Sequence, residues 1–249
     1  MIILGDIGNT ETKICLINRN KIIKKILIPS KGNKKKILDK YLKKIKFSKV
    51  KKILFCSVVP STFKELKKYF AKKTKNKCYE LKELKLRSIL KINVNYNQVG
   101  SDRLANAISV CSKDKNFIIL DFGTATTFDV LIGNNYKGGI ISPGIKLSLN
   151  SLSDKASLIP KINLKKMSSI IGKDTKSAVR SGFFWGYAGL IDNIINLIKK
   201  ETNKSFSIIL TGGFSKLFKD SIKTKAKQDF DITINGLIKA SKLIKLNEK

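Results

Sequence analysis

Histidine is absent from the 249-residue sequence. That excludes histidine-based nucleophilic triads and the commonest zinc ligand. A general base must then be a carboxylate, lysine, tyrosine or cysteine. Cysteine is scarce too: Cys15, Cys56, Cys78 and Cys111 lie far apart with no CxxC spacing. A disulfide framework or zinc site is not expected, and buried reduced thiols are. No apolar run approaches the roughly 18 residues that span a bilayer. The opening MIILGDIGNT has neither a basic leader nor a small-residue cleavage site. The expectation is a cytoplasmic protein with no membrane partner.

Arginine is rare, with Arg19, Arg87, Arg103 and Arg180 set against 51 Lys plus Arg, 18 acidic residues and a formal charge of +33. A basic chain can neutralise nucleic-acid phosphates, but base readers lean on arginine forks and aromatic stacking. Here the lysines fall in scattered runs such as KGNKKK, KVKK and KKTKNK. They read as solvated surface whose field could draw anionic substrates, and nucleic acid is not the expected partner. Because carboxylates are few, each one beside a glycine-rich turn carries weight.

What is present is a core and a repeated pattern. Apolar residues make up 42% of the chain, enough for a packed interior. MIILGDIG, TKICLIN and KIIKKILIP read as three strands, the last two joined at an Asn-Arg-Asn turn signal, followed by a helix over KKKILDKYLKKIKF with Ile37, Leu38, Tyr41, Leu42 and Ile45 on one face. KKILFCSVVP reads as a buried strand halted by Pro60, and STFKELKKYFAKK as a helix behind a Ser/Thr cap. Short strands are expected at CYEL and ILKINVNY, then a helix over SDRLANAISVCSK. From Phe117 the pattern restarts with FIILDFGT, TTFDVLI and YKGGIIS as strands and a hairpin turn at Gly133-Asn134-Asn135. KSAVRSGFFWGYAGLIDNIINLIKK is helical, SFSIILTGG is a buried strand, and GFSKLFKDSI and INGLIKASKLIK can be helices. KLSLNSLSDKASLI, bounded by Pro143 and Pro160, reads as less regular. The repeat divides the chain into an N-terminal domain, 1–115, and a C-terminal domain, 116–249.

Four stretches could carry chemistry. In GDIGNTETK, Gly8 permits a tight turn whose amides, with Asn9 and Thr10, can cradle phosphate. Lys13 adds charge, and Asp6 could hold hydrated Mg²⁺, although an ordinary hairpin uses the same residues. DFGTATTFD ends a buried strand in an aspartate that needs a cation or donors, with Thr124, Thr126 and Thr127 offering hydroxyls. LTGGFSKLF offers a flat backbone at Gly212 and Gly213 for a base or phosphate, or simply a tight turn. In GSDRLANA, Asp102 either caps a helix or accepts a hydroxyl proton. Arg103 beside it could clamp a carboxylate and hold Asp102 ionised, and Asn106 suits a small polar substrate.

In this order, these stretches resemble type III pantothenate kinases almost end to end. GDIGNT is similar to that family's first phosphate motif, and VGSDRLANA to its G-x-D-R-x-x-N segment. ILDFGTATTFD matches D-x-G-T-A-x-T-x-D, GGIISPG matches G-G-x-I-x-P-G, and LTGGFS resembles the adenosine motif. GKDTKSAVRSGFFWGYAGLID resembles a helix near the dimer interface.

The resemblance implies an α/β fold of two duplicated ribonuclease H-like domains. Each is a mixed sheet opened by a three-strand meander and flanked by helices, as in the actin, hexokinase and heat-shock-chaperone superfamily. It implies ATP-dependent phosphorylation of pantothenate, the first step of coenzyme A synthesis, by a homodimer using ATP, Mg²⁺ and K⁺ or NH₄⁺. It places Asp6, Ile7, Gly8, Asn9, Thr10, Glu11, Thr12 and Lys13 on ATP and Mg²⁺, with Thr124, Gly212 and Gly213 also at the nucleotide. It places Gly100, Ser101, Asp102, Arg103 and Thr175 on pantothenate, Asp102 as base, and Asp121 on the monovalent cation. Two departures from the pattern stand out. Ser101 replaces the usual alanine, and Asn93 and Tyr96 stand where a tyrosine and a proline are usual, so Tyr96 receives no substrate role. A non-catalytic transcription accessory protein of the same family, or a kinase for another small alcohol, are the alternatives.

Overall fold

The computed structural model describes residues 1–30, 34–43 and 45–245. The chain runs β1 (Ile2–Ile7), β2 (Glu11–Asn18), β3 (Lys21–Pro29), α1 (Lys34–Leu42), β4 (Lys52–Ser57), α2 (Pro60–Lys73), β5 (Cys78–Glu80), β6 (Lys91–Ile92) and α3 (Ser101–Val110). It continues with β7 (Phe117–Phe122), β8 (Ala125–Ile132), β9 (Asn135–Pro143), α4 (Ile145–Lys155), α5 (Thr175–Thr202), β10 (Ser207–Gly212), α6 (Ser215–Lys219), β11 (Ala226–Gln228) and α7 (Ile232–Ala240).

Two mixed sheets repeat one plan. The first is ordered β3-β2-β1-β4-β5 and the second β9-β8-β7-β10-β11, with β6 beyond β9. In both, the opening strand pairs antiparallel with the next strand and parallel with the later one. β1 and β7 share the burial pattern half-buried, three buried, half-buried, buried, and the half-buried fifth residue is Asp6 in one and Asp121 in the other. The expected duplication is therefore present strand for strand, as mixed sheets flanked by helices.

The compact units differ from the continuous segments expected. One comprises Met1–Cys111, Asn134–Tyr136 and the chain from Asp231 onward; the other comprises Ser112–Gly133 and Lys137–Phe230. The reason is α7, which buries Ile232, Ile234, Leu237 and Ala240 and packs against α3 and β1. Gly236 permits that crossing, since a Cβ there would stand 1.8 Å from the Ala105 carbonyl oxygen. The first unit's core gathers Ile3, Ile7, Ile14, Phe55, Leu66 and Phe70. The second gathers Ile118, Leu120, Phe122, Phe184, Ile191 and Phe218.

Several local expectations are corrected. Pro60 does not halt β4; it opens α2 at a first-turn position behind Val59, with no side-chain cap, because its missing N–H costs nothing there. The stretch between Pro143 and Pro160 contains a helix, α4, anchored by buried Ile145 and Leu149. Its serines and asparagine hide the helical spacing by lowering propensity. α1 ends at Leu42, so Ile45 lies outside it, and Tyr41 is exposed. Only Lys91–Ile92 of ILKINVNY is a strand. Both turn expectations hold: Arg19 and Asn20 adopt left-handed φ of 47° and 62°, and Gly133 adopts 60°.

Candidate active site

In the first unit, β1 carries Asp6 opposite Lys13 on β2 and Cys56 on β4. The turn between β1 and β2 is closed by the Gly8 N–H donating to the Glu11 carbonyl at 3.0 Å. Ser30 braces it: its N–H donates to the Thr10 carbonyl, its hydroxyl donates to the Gly8 carbonyl at 2.6 Å, and its oxygen lies 3.1 Å from the Thr12 hydroxyl. Asn9, Thr10 and Glu11 are exposed and Gly8 and Lys13 half-buried, whereas Ile7 and Thr12 are fully buried. Of the predicted eight-residue phosphate segment, Ile7 thus offers a ligand only its backbone. Thr12 spends its hydroxyl holding the turn.

Asp6 is strongly perturbed. Burial first, and the charge of Asp102 second, push its carboxyl up to about 6, while the Cys56 thiol and Lys13 pull it down. The Cys56 Sγ donates to Asp6 Oδ1 across 3.4 Å. Burial and the neighbouring Asp6 and Asp102 raise that thiol well above its ordinary value, so it stays protonated. Beneath the same stretch, the Phe55 ring lies so close to Gly5 that a Cβ there would meet it at 2.0 Å.

The N-terminus of α3 supplies the second carboxylate. Gly100 precedes the helix, and the Arg103 N–H donates to Asp102 Oδ1 at 2.8 Å. A Cβ on Gly100 would stand 2.4 Å from that same oxygen. Burial raises the Asp102 carboxyl above its ordinary value, against the Arg103 hydrogen bond and charge and against Lys82. The expected cationic depression of Asp102 is therefore reversed, because desolvation disfavours the charged form more than Arg103 supports it. Ser101 is 2% exposed; its hydroxyl accepts the Ser57 N–H at 2.7 Å and donates to the Ser57 carbonyl at 3.0 Å. It ties α3 to the end of β4 and does not present itself to solvent. Asn106, expected near substrate, is instead fully buried and accepts the Thr233 hydroxyl of α7 at 2.7 Å.

Sequence reading missed two groups here, Cys56 and Glu80. Glu80 accepts the Lys82 N–H at 2.6 Å, and burial raises its carboxyl against the Ser101 hydroxyl and the Lys82 and Ser57 amides. Cys56 sits in no turn motif, and Glu80 caps the short 3₁₀ turn Leu81–Glu83; only strand pairing brings them here.

In the second unit, Asp121 occupies in β7 the position that Asp6 has in β1, opposite Thr127 of β8 and Thr211 of β10. The turn after it is closed by the Gly123 N–H on the Ala125 carbonyl at 3.0 Å, leaving Gly123 and Thr124 exposed. Gly144 packs on this turn, since a Cβ there would lie 2.1 Å from the Thr124 carbonyl oxygen. Phe122 stacks on Phe218, and Phe218 on Phe184, anchoring the strand end to α5. Gly212 has φ 82°, and a Cβ on it would stand 2.7 Å from Asp121 Oδ1. The Gly213 N–H donates to the Phe122 carbonyl at 3.0 Å, and Ser215 Oγ donates to the Gly212 carbonyl at 2.7 Å. The hydroxyl oxygens of Thr126 and Thr127 are buried with no hydrogen-bond partner. Asp129 is fully buried opposite Ile119.

Thr175 is exposed at the first position of α5, behind a capping box in which Asp174 Oδ1 accepts the Ser177 N–H at 3.0 Å. The structure thus gathers Asp6, Lys13, Gly100 and Asp102 in one unit. It gathers Asp121, the Thr124 turn and Gly212 in the other.

Among the described residues there is no group of three or more His, Cys, Asp or Glu side chains that could hold a metal ion.

The pattern of the type III pantothenate kinase family matches residues 2–197. A type III pantothenate kinase from Pelagibacter ubique (strain HTCC1062) is 63% identical over 248 residues, covering 98% of this chain and all of that one. Among solved structures, a Campylobacter jejuni protein assigned to the Baf family of transcriptional activators is 20% identical with a TM-score of 0.62, covering 96% and 97% of the two chains. A Sinorhizobium meliloti protein described as a 2-dehydro-3-deoxygalactonokinase is 10% identical with a TM-score of 0.62, covering 97% and 98%. At those identities the two structures speak to the fold alone. The family pattern and the end-to-end relative decide the matter: the chain belongs to the type III pantothenate kinase family.

Proposed function

We propose that the chain phosphorylates pantothenate with ATP, with Asp6 and its hairpin at the phosphates and Asp102 as the base. Membership of the family makes it a pantothenate kinase, a transferase acting at the first step of coenzyme A synthesis. The observation that carries the residue assignment is the pair of half-buried carboxylates, Asp6 and Asp102, close enough for one to raise the other. The pantothenate hydroxyl attacks the γ-phosphorus, and the new O–P bond forms as the bond to the β–γ bridging oxygen breaks. The hydroxyl proton passes to Asp102, and ADP leaves. Burial lifts the Asp102 carboxyl toward the working pH, which makes it a better acceptor than an ordinary aspartate. In this reading exposed Asn9 and Thr10 take phosphate oxygens, with Lys13 adding charge, since this chemistry relies on positioning and neutralisation.

Asp6 would hold Mg²⁺, through water, and Asp121 would hold K⁺ or NH₄⁺. The fit at Asp121 rests on the partnerless buried Thr127 hydroxyl opposite it and on the space that a Cβ on Gly212 would fill. Bound there, these cations supply positive charge against the transferring phosphoryl group. Thr124, Gly212 and Gly213 lie on the nucleotide side of this reading. Gly100, Arg103 and Thr175 lie on the pantothenate side, and Ser101 acts by holding α3.

A homodimer is supported by α5, where a Cβ on Gly182, Gly186 or Gly189 would meet nothing within 4 Å. Leu152, Val179, Phe183, Tyr187 and Leu190 line a groove of about 410 Å³ beside them. The reading is of a cytoplasmic enzyme, and no described helix is long and apolar enough to cross a membrane. A coupled ADP assay over a panel of acceptor alcohols tests the proposal. Turnover with pantothenate is expected, and turnover only with another alcohol would refute it.

A further inference from the structure

We infer that Cys56 is a positioning residue for Asp6. The inference rests on the placement of Asp6 at Mg²⁺ and ATP. Asp6 lies in β1 directly opposite Cys56 in the parallel pairing with β4. The Cys56 Sγ is 3.4 Å from Asp6 Oδ1 and 3.8 Å from the Gly5 carbonyl oxygen, so its single S–H favours the carboxylate. Cys56 is fully buried, and a thiol facing a carboxylate oxygen can only be the donor. The preceding residue, Phe55, presses its ring against Gly5, where a Cβ would meet it at 2.0 Å. Two successive residues of β4 thus hold two successive residues of β1. Phe55 sets the height of the backbone at Gly5, and Cys56 sets the rotation of the Asp6 side chain. With Oδ1 engaged by the thiol, Oδ2 is the oxygen left to face a hydrated cation and phosphates. The other two buried thiols of this sheet have no such pairing: Cys15 of β2 stands opposite Leu4 and Lys25, and Cys78 of β5 opposite Ile53.

The test uses the full chain and separates nucleotide binding from turnover. Cys56→Ala removes the donor and is expected to weaken ADP binding about fivefold in Mg²⁺ calorimetry, the loss of one ordinary hydrogen bond. The KM for ATP should rise by a similar factor and the KM for pantothenate should stay within about twofold. Cys56→Ser restores a donor and should recover most of the loss, an outcome that a purely packing role does not produce. Cys56→Val fills the site and keeps strand propensity without a donor, and it replaces alanine should the smaller side chain unfold the protein. Alanine and serine variants that behave alike, or an alanine variant with wild-type ADP affinity, would overturn the inference. Wild-type protein that fails to bind ADP in Mg²⁺ would instead overturn the placement of Asp6 on which it rests.

Discussion

Replacing Asp102 by Asn keeps the shape of the side chain and removes its charge and its ability to accept a proton. Two consequences follow from the geometry. Turnover loses its base, which typically costs 10²–10⁴-fold, or about 3–5 kcal/mol of barrier. Asp6 also loses its negative neighbour. Its carboxyl stands at about 6 against an ordinary 3.8, with burial the larger cause and Asp102 the second. With that charge gone, the Asp6 midpoint should fall in the variant. Carboxyl ¹³C NMR of metal-free protein, titrated from pH 4 to 8, reads that midpoint directly. The coupled ADP assay reads the rate, and ADP calorimetry should show binding nearly intact. A wild-type rate would refute Asp102 as base. An unmoved Asp6 midpoint would refute the coupling of the two carboxylates, even if the rate fell.

Three further outcomes are expected. Asp6→Asn should stabilise the protein at pH 7 by about 3 kcal/mol and leave it unchanged near pH 3.5, because a carboxyl raised on folding loses stability as pH climbs from its unfolded value of 3.8 to about 6; equal shifts in urea midpoint at both pH values would contradict this. Gly236→Ala forces a Cβ to within 1.8 Å of the Ala105 carbonyl oxygen and should cost about 1–3 kcal/mol in urea unfolding, whereas Gly182→Ala, with open space at its Cβ, should cost no stability. Gly186→Leu fills the open face of α5 and should shift sedimentation from dimer toward monomer, while an unchanged dimer would move the proposed interface off this face.

The two glycine turns were legible because their chemistry is local. Asp, Gly and Thr after a buried strand specify a tight turn wherever that strand goes, and both turns appear where GDIGNT and DFGTAT predicted them. The turn at Asn18–Lys21 was equally plain, since asparagine tolerates left-handed φ. The side chains around those turns were not legible. Thr12 and Asn106 look like ligands in one dimension, yet each spends its polar group inside the fold, on Ser30 and on Thr233. α4 was hidden by its serines, and β11 has only Ala226–Gln228 with no apolar alternation to announce it.

The sequence by itself determined the family, the duplicated order of strands and which aspartates stand at strand ends, because each of these is written in contiguous residues. Only the tertiary structure decided how those aspartates behave. Asp102 titrates upward despite its arginine neighbour because burial, a sum over distant parts of the chain, outweighs one adjacent charge. Cys56 meets Asp6 because β4 pairs in parallel with β1 across about 50 residues of intervening chain. α7, last in order, packs with the first unit because a glycine lets it approach α3 and its apolar face is buried there.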